Sequence, residues 1–158
     1  MIITSIIIFI FVVSCIYIKY EISKSIYVLP FLEPVKDLKF PIITFDCQGK
    51  KLNFIIDTGS MDSIIDSEVC NTLEGRVLDK QSTIYGLNGV LSQAYYILID
   101  LEYKGNKVEN LFLTADIKET MKDFKESKGI EIHGLIGSKF LNVYQSIIDY
   151  KKECLTFK

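Results

Sequence analysis

Ile55-Ile56-Asp57-Thr58-Gly59-Ser60 is the stretch on which the reading of this 158-residue chain turns. Two apolar residues deliver a carboxylate into a short turn that holds one glycine and two hydroxyls. A carboxylate at the end of an apolar strand loses part of its hydration, which favours its protonated form unless a second group stabilises the charge. Thr58 and Ser60 supply hydroxyls that can bond neighbouring backbone or carboxylate oxygens, and Gly59 permits a turn that a Cβ would oppose. The pattern is that of a rigid acid–base site built on Asp57. A bare Asp-Thr-Gly is also an ordinary turn, since turns favour Asp and Gly. The rest of the chain separates the two readings.

Further along stands Gly134-Leu135-Ile136-Gly137-Ser138-Lys139-Phe140-Leu141, followed by Ile147-Ile148-Asp149-Tyr150. In this order the two segments resemble the active-site loop of the aspartic proteases and the family's second signature, which implies an apolar-apolar-Gly strand, a short helix and a final hairpin here. One copy per chain is similar to the retropepsin-like branch, in which two identical protomers each lend one aspartate. The resemblance implies an all-β fold, a closed retropepsin-like (acid protease) β-barrel with a short helix near the C-terminus. It also implies a homodimer acting on an extended peptide, with water as nucleophile and no cofactor or metal. Asp57 would be half of a shared dyad, the Thr58 pair would lock the two loops across the axis, Gly59 would let them approach, and Ser60 would bond the carboxylate.

Between the signatures, Ser82-Thr83-Ile84-Tyr85 and Ala94-Tyr95-Tyr96-Ile97-Leu98-Ile99 flank Gly86-Leu87-Asn88-Gly89. Two glycines at the tip of a strand-turn-strand let a hairpin change its backbone dihedrals and lay main-chain groups along a bound peptide. The segment resembles a retropepsin flap, with Tyr85, Gly86, Leu87, Asn88 and Gly89 as candidate substrate-binding residues. The alternative is an ordinary hairpin.

A net charge of −2, with lysines and acids interspersed, carries none of the basic clustering that a nucleic-acid surface needs, so no nucleic-acid partner is expected. Residues 2–18 form an apolar run broken only by Thr4, Ser5, Ser14 and Cys15. Its length sits at the short limit for a bilayer span, and Tyr17 and Tyr20 are placed as interfacial anchors. A cleaved signal peptide is the rival, but no basic residue precedes the run and no small-x-small site closes it. Val12-Val13-Ser14-Cys15 loosely resembles a lipoprotein cleavage box, against which stand the missing basic start and the apolar Ile16-Tyr17-Ile18. We read residues 1–18 as a transmembrane helix or signal anchor and the protein as single-pass. Lys19 and Lys24 alone do not fix on which side the folded part lies.

Residues 19–38, with Pro30 and Pro34 and no sustained period, read as a tether, and residues 39–158 as one domain. Within it, β-rich runs meet across Asp46-Cys47-Gln48-Gly49-Lys50 and around Lys104-Gly105-Asn106. Asp66 is placed to cap a brief helical turn, and Ile117, Met121 and Phe124 mark one face of an additional helix. Asp149 belongs to the turn of the closing hairpin. Four cysteines without close spacing and the single His133 do not make a zinc site. Outside the apolar run, Cys47, Cys70 and Cys154 suit free buried thiols, with one disulfide left open. The chain therefore reads as a membrane-anchored aspartic endopeptidase. The alternatives are a catalytically inactive peptide-binding module of the same fold and a tethered lipoprotein or scaffold.

Overall fold

The computed structural model describes residues 10–14, 26–32, 40–85 and 91–158. Among the described residues ten strands carry the fold. They are β1 Tyr27–Pro30, β2 Ile42–Cys47, β3 Lys50–Ile56, β4 Ser63–Asp66, β5 Arg76–Tyr85, β6 Leu91–Tyr103, β7 Asn106–Ala115, β8 Gly134–Ile136, β9 Ile147–Asp149 and β10 Cys154–Phe157. Three short helices interrupt them: α1 Ser67–Cys70, α2 Lys118–Lys128 and α3 Ser138–Val143.

The expected hairpins form where glycine allows them. Gln48 and Gly49, at φ 50° and 79°, and Lys104 and Gly105, at φ 50° and 77°, give two-residue turns with positive φ at both positions. That twist matches the twist of the flanking strands. The larger sheet runs β2-β3-β8-β4-β7-β6-β5, and a pairing of Asp46 with Glu102 joins β6 back to β2. Six strands thus close into a barrel, and β5 hangs on the outside of β6.

Alternation along β2 and β3 sends Ile43, Phe45, Leu52 and Phe54 inward. There Phe54 stacks on Phe112 at 5.5 Å, and Phe45 meets Phe54, Phe140 and Phe157 edge-on. Each buried phenylalanine contributes about 1.5–3 kcal/mol by burial. The additional helix α2 uses Met121 and Phe124 to cover a second cluster of Ile42, Ile55, Ile130 and Ile132. It stops at Gly129, whose φ of 66° is the left-handed conformation that ends helices.

The smaller sheet, β1-β10-β9, revises one expectation. Residues 27–30, read as part of a tether over 19–38, form a strand whose Tyr27 pairs with Phe157 and whose Leu29 is fully buried. The folded unit therefore begins ahead of residue 39; the remainder of the tether, 19–25 and 33–38, lies outside the described residues. Strand β10 has β1 on one edge and β9 on the other, so its backbone is already paired within its own chain.

Of the apolar run at 1–18, only residues 10–14 are described, and they are helical. Among the described residues no helix is long and apolar enough to cross a membrane. Cys15 lies outside the described residues, and Cys47, Cys70 and Cys154 are free and buried. Burial pushes the Cys47 and Cys70 thiols above their ordinary range, which keeps them protonated and inert.

Candidate active site

Strand β8 lies between β3, to which it is parallel, and β4, to which it is antiparallel. The chain leaving β3 at Ile56 must therefore cross the end of β8 to enter β4. Residues 57–62 make that crossing. Asp57 N–H donates to the Ile136 carbonyl at 3.0 Å, which sets the carboxylate directly beyond the apolar strand end.

The glycines of the second signature are explained by this crossing. A Cβ on Gly134 would lie 2.3 Å from the Ile64 carbonyl oxygen, and one on Gly137 would lie 2.4 Å from the Asp62 carbonyl oxygen. Both are far inside contact distance, so Gly134 lets β8 lie close against β4, and Gly137 lets the chain leaving β8 pass beneath the loop. Past Gly137 the loop and α3 are bonded together. Ser138 N–H and its hydroxyl each donate to the Ser60 carbonyl at 2.8 Å, and Lys139 N–H donates to the Met61 carbonyl at 3.0 Å. The first N–H groups of a helix have no partner inside it. Here the loop carbonyls take that place.

The four residues Asp57 to Ser60 all lie in this crossing. Asp57 is half-buried, and its Oδ1 accepts from Gly59 N–H at 2.9 Å. Thr58 is exposed beside it. The φ of Gly59 is not positive, so the turn itself does not call for glycine, but a Cβ there would stand 3.2 Å from Asp57 Oδ1, a tight contact. Ser60 also departs from expectation. Its hydroxyl donates to the Asp62 carbonyl at 2.7 Å, so in this chain it braces the loop and not the carboxylate.

Other expected residues divide. Strands β5 and β6 pair up to Tyr85 and Leu91, which builds the arms of the proposed flap. Gly86, Leu87, Asn88 and Gly89 lie outside the described residues. Asp66 is buried and caps α1 through Oδ1, which accepts from Glu68 and Val69, while Oδ2 accepts from Ile117 N–H. Asp149 accepts from Lys151 and Lys152 N–H in the closing turn. His133 is not an edge residue. It is mostly buried, bonds Asn53 through both its backbone N–H and its Nδ1, and accepts from Asp66 N–H through its carbonyl, tying β3 to β4. Burial lowers its pKa, consistent with an Nδ1 that must stay unprotonated to accept.

Sequence reading missed Asp62. Its Oδ1 lies 2.5 Å from Lys139 Nζ and its Oδ2 accepts from the Tyr96 hydroxyl at 3.4 Å. The carboxylate holds the Lys139 ammonium charged beyond its ordinary range. Partners 77 and 34 positions away give no local signal. Among the described residues no cluster of three or more His, Cys, Asp or Glu could hold a metal ion.

What the arrangement offers chemically is one half-buried carboxylate on a braced loop. The profile of one family, described as aspartyl protease, matches residues 43–140. Among solved structures, EIAV protease complexed with the inhibitor HBY-793 aligns at 21% identity. That match covers 66% of this chain and 86% of that one, with a TM-score of 0.48. No curated protein matches the chain.

Proposed function

The chain belongs to the aspartyl protease family, and from that premise we propose that it is an endopeptidase whose site is completed by a second copy of itself. Hydrolysis by carboxylates alone needs one ionised to take a proton from water and one protonated to polarise the scissile carbonyl. A chain with one Asp57 meets this by two-fold pairing, because two carboxylates brought together hold a single proton between them. Thr58, exposed beside Asp57, is available to the partner loop, and Gly59 keeps the carboxylate free of crowding.

The observation that carries this reading is the crossing of residues 57–62 over β8, bonded to Ile136 on one side and to α3 on the other. It presents Asp57 on a braced loop at the mouth of a closed barrel. In the proposal an extended peptide lies across this loop beneath the β5–β6 hairpin, with Tyr85, Gly86, Leu87, Asn88 and Gly89 above it. The apolar residues 2–18 anchor the enzyme to a membrane in a single pass.

Asp57→Asn tests the chemistry. Peptide-library cleavage should fall by at least about a thousandfold while the fold survives. Equal cleavage by the variant would remove Asp57 from the reaction. Peptide binding without turnover in the wild type would favour an inactive binding module of the same fold.

A further inference from the structure

The crossing loop is held at its far end by a charged side chain, and that grip reaches two other parts of the molecule. Asp62 is the last loop residue before β4, and only 15% of its side chain is exposed. Its backbone carbonyl accepts the Ser60 hydroxyl and sits where Gly137 leaves room for it. Its two carboxylate oxygens go in different directions. Oδ1 takes Lys139 from α3, and Oδ2 takes the buried Tyr96 from β6, the strand that forms one arm of the proposed flap.

We propose that Lys139 and Tyr96 are positioning residues that act through Asp62, fixing the loop that carries Asp57 to helix α3 and to hairpin arm β6 at once. The proposal deepens the protease reading and rests on it for its kinetic consequence. The physical argument is one of scale. Lys139 is 54% exposed, and an ion pair so open to solvent adds little to global stability. It still fixes where a short loop ends. Among the described residues the loop is bonded to α3 only through Ser60, Met61 and Asp62, so when the Asp62 grip is lost the backbone bonds of residues 60 and 61 hold the loop alone, and their more frequent opening frees the chain that carries Asp57. Displacing a reacting group by a fraction of a bond length costs rate far out of proportion to the stability lost. Because Tyr96 shares the same carboxylate, movement of the hairpin arm and of the loop are linked.

The test uses the full chain with Lys139→Met, Asp62→Asn, Tyr96→Phe and Lys139→Arg. Amide hydrogen exchange reads the clamp without reference to turnover. In Lys139→Met and Asp62→Asn the amides of Asp57, Ser60, Ser138 and Lys139 should exchange about tenfold faster, with those of Phe45 and Leu52 in the barrel unchanged. Tyr96→Phe should move the same amides in the same direction, and Lys139→Arg should restore them, since a guanidinium reaches the same carboxylate. Unchanged exchange at the loop, or a rise shared equally with Phe45 and Leu52, overturns the proposal. Unchanged exchange in Tyr96→Phe alone overturns the link to β6.

In peptide cleavage, kcat should fall about tenfold in Lys139→Met with KM within about twofold, and the Lys139→Met, Asp62→Asn double variant should be no worse than either single one. Loosened amides with unaltered kcat would overturn the positioning role. A wild type without turnover would instead sink the protease reading, and the exchange measurement would still decide whether the clamp exists.

Discussion

At the scale of single residues, Gly59 shows how little room the carboxylate has. An added Cβ would sit 3.2 Å from Asp57 Oδ1, tighter than ordinary contact, on a residue otherwise exposed. Gly59→Ala is therefore expected to cut peptide cleavage about 10- to 100-fold through displacement of Asp57. Stability should shift by no more than about 0.5 kcal/mol, as for other surface substitutions. Cleavage kinetics beside thermal melting separate the two, and activity within twofold of wild type would refute the crowding argument. His133 governs a different property. Its pKa is lowered in the folded state by burial, so the unfolded chain takes up a proton at a higher pH than the folded chain does. Its contribution is fully present above the unfolded value of about 6.5 and is lost as pH falls through that value toward the folded one. Urea unfolding at about pH 7.5 and about pH 5.5 should show an acid loss bounded near 1.4 kcal/mol per pH unit from this group, and His133→Gln should flatten it. An unaltered slope in the variant would assign the loss to other groups. Asp57, Thr58 and Gly59 were legible because their chemistry and spacing are local. The Ser60 hydroxyl bond and the role of Asp62 were not, because each depends on where the loop crosses β8.

At the scale of elements, β1 carries the clearest consequence. Leu29 and Phe31 are 1% and 8% exposed, and Tyr27 rests against Phe157 at 5.2 Å. A chain begun at residue 40 loses these contacts and leaves one edge of β10 open, so it should be less stable than a chain begun at residue 26 by about 3–6 kcal/mol. Comparative urea unfolding measures the difference, and equal midpoints would return residues 27–30 to the status of a tether. The hairpin strands, α2 and the α1 cap could be read from period, turn residues and Asp66, all of them local signals. Strand β1 could not, because four residues are too few to display a period of two, and its partner stands at the opposite end of the described fold. The small helix α3 is legible only as part of the second signature. Its first turn is set by loop carbonyls rather than by a capping side chain.

At the scale of the whole molecule, the proposed reaction makes assembly part of the chemistry, because each chain carries one Asp57. If the site is shared, Asp57→Asn chains should poison wild-type ones. With the variant in tenfold excess most wild-type chains meet an inactive partner, and activity per wild-type chain should fall about tenfold by mass action. Activity that is indifferent to added variant would exclude a site built from two chains. The barrel follows the same division between near and far. The amino-acid sequence by itself determined the hairpin strands, their glycine turns, the apolar approach to Asp57 and the order of the two signatures, since each rests on residues a few positions apart. Tertiary structure alone decided that β8 inserts between β3 and β4, that Gly134 lies against β4 and Gly137 beneath the loop with no space for a methyl group, that β10 is paired on both edges, and that Asp62 is shared by α3 and β6. Those outcomes depend on contacts between residues tens of positions apart, where close packing and hydrogen-bond geometry select the neighbour and local propensity has no means of naming it.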